Sequence, residues 1–590
     1  MKRSLILLCL LVWIVGAVRA QENNVRYEKT AEDVLRWHEL SERMRTSTPP
    51  ATPVYSIAEF EPCQGVLIAY PSSGFGIPYT LISQLADMVT VTVAVSSSYQ
   101  QNSVRNQMQN NGVNINNVNF VVGSVDSYWT RDFGPWFILD GNDAFGVADF
   151  TYNRPSRPHD DAHMAIMADF LSVNHFDFPI VHTGGNYMSD GYGTAASTDL
   201  VMQENEDLSE AQIRQYCADY LGIDNYHFTI DPQGDYIAHI DCWGKFLGVD
   251  KILIAQLPVG ASRYQEYEDV ANYFANATTP WGNKYKVYRV FEPGSTVSNA
   301  RTPYTNSLIL NDHVFVPVTG ASYDQDAIEV YQVAMPGYTI VPIMEKPSTP
   351  WENTDALHCR THEIPDLQML RFHHFPTLGA QPYDSTFTID TELKFLSGQS
   401  EVTDSVRIYY RIINENDTTA WTSTAMQPSV GEHWAGTISG ITDTCEVQYS
   451  LFAKDQSGRR EFYPYIGRPD PFIFTVGANP NPNVDPGTDT TVVDPGDTTD
   501  IGGDSTMIHN FFEQNILLAP NPAHTQFSLT APHAQTVTIY NAYGQVIYRM
   551  QPNGTETTVI DCSRWSAGTY FVHIVGEKGE MAKKKLLIAR

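Results

Sequence analysis

Trp129-Thr130-Arg131-Asp132-Phe133-Gly134-Pro135 is the first of five short segments whose chemistry stands out along this chain and whose spacing decides its fold. Gly184-Gly185-Asn186, His239-Ile240-Asp241, Asn306 in Pro303-Tyr304-Thr305-Asn306-Ser307, and Leu357-His358-Cys359-Arg360-Thr361 follow it. The steps from Asp132 to Asn186, Asp241, Asn306 and Cys359 are about 54, 55, 65 and 53 residues, an interval that predicts repeated supersecondary units around one axis. Each unit would deliver one group to a shared central site. Two carboxylates, an imidazole and a thiol are the parts needed to attack a cationic, planar carbon such as that of a guanidinium group.

Working outward, apolar runs bounded by Gly, Pro or Asn read as strands at 65–70, 89–95, 120–125, 145–152, 200–203, 251–255, 307–318 and 338–344. Helical patterns lie between them at 161–171, 209–220 and 264–274. The reading is α/β, a catalytic domain over 46–372 built of successive α/β units closed into a ring. Residues 373–476 change character, with alternating segments such as Val406-Arg407-Ile408-Tyr409-Tyr410, and predict an immunoglobulin-like β-sandwich. Residues 477–507, rich in Asp, Thr, Pro and Gly, bury no core and read as a disordered linker. Residues 508–590 form a last β module.

The N-terminus, with Lys2-Arg3, an apolar run from Leu5 to Val15 and Val18-Arg19-Ala20, reads as a signal peptide over 1–20. Residues 21–45 are helix-compatible and form either a removable pro-segment or an ordinary N-terminal helix. The formal charge of −30 argues against nucleic acid or an anionic membrane as a main partner and favours a cationic substrate, or it simply keeps an exported protein soluble. Of seven cysteines, Cys9 leaves with the signal. The remaining six, Cys63, Cys217, Cys242, Cys359, Cys445 and Cys562, lack Cys-x-x-Cys spacing and make no disulfide framework over such a length, so most are expected to be buried thiols.

Leu518-Ala519-Pro520-Asn521-Pro522-Ala523, Ala567-Gly568-Thr569-Tyr570 and Lys583-Lys584-Lys585-Leu586-Leu587-Ile588 resemble the C-terminal sorting domain of proteins exported by the type IX route. The resemblance implies secretion, outer-membrane secretion machinery as a partner, and attachment to the bacterial outer-membrane surface. The four motifs around Asp132, Asn186, Asp241 and Cys359 together resemble the guanidino-group-modifying superfamily. Within it they are most similar to the Porphyromonas-type peptidylarginine deiminases, relatives of agmatine deiminase. The resemblance implies a five-bladed α/β propeller, or pentein, that converts arginine in peptides and proteins, above all C-terminal arginine, to citrulline with release of ammonia and no organic or metal cofactor.

A guanidinium is planar and rich in donors, so two carboxylates accepting paired hydrogen bonds hold it well; Asp132 and Asp241 are the candidates. Holding the substrate as a cation favours a thiolate on Cys359, the expected nucleophile. His239 is the expected acid and base, Asn306 the residue that orients by hydrogen bonding, and Trp129 and Tyr236 aromatic walls for the substrate stem. In the peptidyl-arginine type, two arginines of an Asn-Arg-Pro-x segment clamp the terminal carboxylate. Asn153-Arg154-Pro155-Ser156-Arg157-Pro158 offers Arg154 and Arg157, with one residue more between them. Thr183 and Thr354-Asp355-Ala356-Leu357 depart from the agmatine deiminase pattern and speak against a small-diamine substrate.

The same residues have plainer readings. Asp132 can simply bond backbone amides in a turn. The Gly184-Gly185 pair permits unusual dihedrals at a strand end. His239, Asp241 and Cys242 can bind zinc, although strand alternation would put Cys242 on the opposite face. Arg154 or Arg157 can pair with Asp160 or Asp161. Agmatine or free-arginine deimination, a cysteine peptidase and a non-catalytic surface binding protein on the same scaffold are the competing functions.

Overall fold

The computed structural model describes residue 37, residues 47–477 apart from 235–236, 294–302, 352–354, 415–416 and 443, and most of 517–589. The signal peptide, nearly all of the 21–45 segment and the linker lie outside the described residues. Contacts divide the chain into two units, Met1–Gly496 and Asp497–Arg590.

Residues 55–365 form five small sheets of three or four strands with helices between them, a mixed α/β region. Cys63–Ala69, Thr90–Val95 and Val118–Val122 run parallel in the first. Tyr55–Ser56, Trp136–Leu139, Phe145–Tyr152 and Asn174–His182 make the second. Met188–Ser189, Thr194–Thr198 and Asn225–Thr229 make the third, and Gly244–Gly248, Lys251–Gln256 and Lys286–Phe291 the fourth. Leu308–Leu310, His313–Val318 and Thr339–Met344 make the fifth.

One order recurs from the second sheet to the fifth: an antiparallel pair, a crossover carrying a helix, then a strand parallel to the second member of the pair. Parallel neighbours need such a crossover, and the helix supplies the apolar face that covers the sheet. The crossover helices are His163–Leu171, Glu210–Leu221, Tyr264–Asn276 and Asp324–Ala334. Glu210–Leu221 begins with a capping box in which Ser209 and Gln212 satisfy each other's backbone amides. The first sheet receives its antiparallel strand last, when His362–Pro365 pairs with Cys63–Ala69. Leu81, Ile82 and Leu85 of the helix Tyr79–Met88 share one core with Val91 and Val93 of this sheet, all fully buried and each worth roughly 1.5–3 kcal/mol over exposure.

Three expectations change. Residues 200–203 are not a strand but part of the helix Leu200–Glu204; the strand ladder ends at Thr198 opposite Thr229, and Met202 N–H already turns back to Asp199 O. The apolar run 307–318 is a hairpin, broken where Asn311 adopts φ 54°. His239-Ile240-Asp241 is not a strand, because Ile240–Cys242 is a 3-10 turn with His239 as its N-cap.

Residues 370–477 hold a four-stranded and a seven-stranded sheet whose apolar faces share one core, with Ile389, Leu393 and Ile438 from one and Ile408, Val447, Leu451 and Phe474 from the other. Burial alternates along Arg407–Asn414 as a half-buried strand requires. The C-terminal unit holds a three-stranded sheet with Gln526–Thr530 at its centre and a four-stranded sheet of Ala534–Asn541, Val546–Met550, Gly568–Gly576 and Met581–Ile588. Val537, Ile539, Val572, Ile574 and Leu586 are its core. Among the described residues no helix is long and apolar enough to cross a membrane.

Candidate active site

Asp132, Asn186, Asp241, Asn306 and Cys359 each sit in the turn that leads into the first strand of a hairpin or, for Cys359, into the closing strand His362–Pro365. That shared position within each sheet unit is the origin of their near-constant spacing, and all five are buried.

Asn306 fastens the turn that carries Cys359. Its Oδ1 accepts from the backbone N–H of Ala356 at 3.0 Å and of Cys359 at 3.2 Å, and its carbonyl accepts from His358 N–H at 3.1 Å. Its Nδ2 donates to Asp241 O and to Cys359 Sγ, both at 3.2 Å. Arg360 holds the other side, donating from Nε to Asp355 Oδ1 at 2.8 Å and from Nη1 to Gly76 O at 2.8 Å. Cys359 Sγ lies 3.5 Å from Asp241 Oδ2. Burial, then the charges of Asp241, Asp355 and Asp132, hold its thiol well above the usual range, and the Asn306 amide works against them. Its surroundings therefore favour the thiol, and a nearby cation is what would make it a thiolate.

Asp132 and His239 face each other, with Asp132 Oδ1 3.6 Å from His239 Nδ1. Burial and the Asp241 charge push the Asp132 carboxyl up to about 8, against Arg154 and Arg157. Burial lowers His239 to about 3, so it is neutral. Asp132 Oδ1 and His239 Nε2 have no hydrogen-bond partner among the described residues. Such buried, unsatisfied atoms cost roughly 1–3 kcal/mol each, which a bound donor would relieve. Asp132 thus does not spend its carboxylate on turn amides.

Gly184 and Gly185 are needed for space rather than for unusual dihedrals; neither has a positive φ. A Cβ on Gly185 would stand 2.6 Å from His239 Nδ1, 2.7 Å from Asp132 Oδ1 and 3.3 Å from Asp241 Oδ1, so this glycine's backbone faces the point where the three groups converge. Asn186 supports the site from behind: its Oδ1 accepts from Thr198 N–H at 2.9 Å and from Ile240 N–H at 3.2 Å, tying down the turn that carries Asp241.

Both arginines are half-buried on the Asp132 side. Arg157 stacks its guanidinium 4.5 Å above the Trp129 ring and donates to Tyr152 Oη at 3.1 Å. Trp129 is thus a platform for Arg157, which takes one face of the wall expected for the substrate. Arg154 donates to Asn153 O at 3.1 Å, and its charge bears on Asp132 and His239. The carboxylates of Asp160 and Asp161 are engaged by backbone amides of Asp126, Ser127 and Tyr152. Tyr236 lies outside the described residues.

The structure adds groups that the sequence reading passed over. His358 lies between the two carboxylates Asp241 and Glu59, its Nδ1 2.7 Å from Asp241 Oδ2 and its Nε2 3.1 Å from Glu59 Oε2. Lys245 Nζ reaches Glu59 Oε2 at 2.5 Å, and Arg131 makes a bidentate pair with Glu363. Burial works to raise Asp241, but the bond and charge of His358, with His239 and Arg131, hold it below its ordinary value. Two carboxylates in one site are therefore pushed apart, Asp132 up and Asp241 down. A cavity of about 60 Å³ is lined by Asp241, His358, Glu59, Lys245, Arg131 and Glu363 but not by Cys359, Asp132 or His239. The one available signal was a buried-type charge, Lys245, inside the apolar run Gly-Lys-Phe-Leu-Gly.

A profile of the Porphyromonas-type peptidyl-arginine deiminases matches residues 55–365, and one of the secretion system C-terminal sorting domain matches residues 518–589. A Yersinia pestis protein provisionally named as an agmatine deiminase is 25% identical over 288 residues, 42% of this chain and 77% of its own length. A Vibrio parahaemolyticus protein named in the same way is 24% identical over 371 residues, 55% of this chain and 100% of its own. The solved agmatine deiminase of Enterococcus faecalis is similar with 21% identity and a TM-score of 0.46, covering 55% of this chain and 97% of that one.

Proposed function

The chain belongs to the Porphyromonas-type peptidyl-arginine deiminase family, whose members hydrolyse C–N bonds of amidines, and from that membership we propose that it converts peptidyl arginine, preferably at a C-terminus, to citrulline. Its five sheets are read as the blades of a five-bladed α/β propeller with Cys359 as nucleophile at the axis, and residues 373–476 as an immunoglobulin-like support. The observation that carries the reading is the convergence of Asp132, His239 and Asp241 at Gly185, with Cys359 Sγ 3.5 Å from Asp241.

A guanidinium entering this point meets an ionised Asp241 and draws Asp132 into its charged form, the Asp132 proton being released to solvent as the cation binds. The cation favours transfer of the Cys359 proton to His239, which has an unpaired ring nitrogen. The thiolate attacks the guanidinium carbon to give a tetrahedral adduct, His239 returns the proton to one nitrogen, and that nitrogen leaves as ammonia to form a covalent thiouronium. Neutral His239 then deprotonates the water that releases citrulline and restores Cys359. Arg154 and Arg157 supply positive charge beside Asp132, where a substrate's terminal carboxylate is expected.

The sorting domain implies export and a secreted or cell-surface location, which suits a peptide substrate better than a small diamine. Agmatine is the second reading, favoured by the names of the relatives above. Citrulline and ammonia release from a peptide ending in arginine, the same peptide with internal arginine, and agmatine separates them. Preference for the first supports the proposal, and turnover of agmatine alone overturns it.

A further inference from the structure

Building on the role proposed for Asp241, we propose that His358 carries a proton on both ring nitrogens and is the positioning residue that aims Asp241 and keeps it ionised. Each ring nitrogen faces a carboxylate oxygen, at 2.7 Å for Asp241 and 3.1 Å for Glu59. A neutral imidazole has one donor and one acceptor, so it would set a lone pair against one of these oxygens.

Protonating a carboxylate instead does not resolve the conflict. Glu59 Oε2 already accepts from Lys245 Nζ at 2.5 Å and Oε1 from Ile309 N–H at 2.8 Å. Asp241 has a thiol near each oxygen, Cys242 Sγ at 3.6 Å from Oδ1 and Cys359 Sγ at 3.5 Å from Oδ2. Both carboxylates are surrounded by donors, which leaves the proton on the ring.

The charges agree. Asp241 and Glu363 are buried and Glu59 is half-buried, and against these three negative groups Lys245 and Arg131 supply two positive ones. A protonated His358 balances the set, and a neutral one leaves a buried charge uncompensated, which is costly. The two other imidazoles beside this cluster do not supply the missing charge: burial lowers His239 to about 3, and burial with Arg131 lowers His362 to about 4. The consequence for the reaction is a division of labour: the His358 cation makes Asp241 a permanent anion, while Asp132 changes charge with the substrate.

Two measurements test this on the full chain. Nitrogen-15 NMR of histidine-labelled protein at pH 7, with His358 assigned by its loss in His358→Asn, is expected to show both ring nitrogens protonated. A single unprotonated nitrogen overturns the charge assignment. The pH dependence of kcat/KM on an arginine-terminated peptide is then compared among the unaltered chain, His358→Asn and Glu59→Gln. Without the cation, burial raises Asp241, so the acid limb is expected to move to higher pH by about one unit in His358→Asn, and less in Glu59→Gln, with kcat falling about tenfold or more. Uniform loss with an unmoved limb would mean that His358 serves structure alone. Absence of turnover by the unaltered chain would remove the proposed function, and the NMR measurement would still decide where the proton resides.

Discussion

Gly185→Ala is the sharpest test of the site, because it adds one methyl group where Asp132, His239 and Asp241 meet. The added carbon would lie 2.6 Å from His239 Nδ1 and 2.7 Å from Asp132 Oδ1, whereas ordinary contact begins near 3.4 Å. Either those side chains or the Gly184–Asn186 turn must move by about 0.8 Å to make room. The turn has little freedom, since Asn186 is tied to Thr198 and Ile240 and a Cβ at Gly184 would itself strike Arg131 O at 2.0 Å. Misplacement of reacting groups by about 1 Å costs about 10²-fold, so kcat/KM for arginine-terminated peptide is expected to fall by that factor, about 2.7 kcal/mol of transition-state stabilisation. Circular dichroism should be unchanged, since the glycine's backbone geometry suits alanine. Citrulline release within threefold of the unaltered chain, with the fold intact, would show that substrate does not use this point.

The remaining predictions concern charge and support. Asp132 holds its proton to about pH 8 in the folded chain against an ordinary 3.8, so the folded state binds the extra proton and stability falls as pH rises through that window; Asp132→Asn should flatten this fall, as read from Tm between pH 5 and 8. The same variant should lose deimination, because it cannot supply the second negative charge to the guanidinium. Cys359→Ala should abolish citrulline release without lowering Tm. Arg154→Ala should raise KM for arginine-terminated peptide far more than for agmatine, and an equal effect on both would remove the clamp assignment. Glu363→Gln leaves the buried Arg131 guanidinium without its carboxylate partner and should destabilise by roughly 3–5 kcal/mol in urea unfolding.

The sequence made the site's frame legible because its key residues occupy one recurrent position, the turn before a strand, and turn residues are set by local chemistry. The crossover helices were legible for a similar reason: Ser209 and Gln212 announce a helix start before any tertiary contact exists. Residues 200–203 misled because Leu-Val-Met is apolar in either state, while the true strand Thr194–Thr198 is built of small residues that look unremarkable and are nonetheless wholly buried. Glu59 and Glu363 carry no local mark, and Lys245 carries only its place inside the run Gly244–Gly248. Glu59 and His358 are 299 residues apart in the chain, and their contact exists only once the sheets assemble. Trp129 was identified as a wall, but which cation would stack on it depended on how the extra residue Ser156 spaces the two arginines.

Pairing of His362–Pro365 with Cys63–Ala69 links the two ends of the deiminase region, and Cys359 sits three residues before that last strand. A contact so distant in sequence closes only after the intervening chain has ordered, because long loops must be fixed before the contact rewards them. A chain interrupted anywhere before residue 359 lacks both the thiol and the strand that seals the first sheet. With Cys359 as the proposed nucleophile, turnover would be withheld from an emerging or shortened polypeptide, and activity would become a report that the whole region has been made.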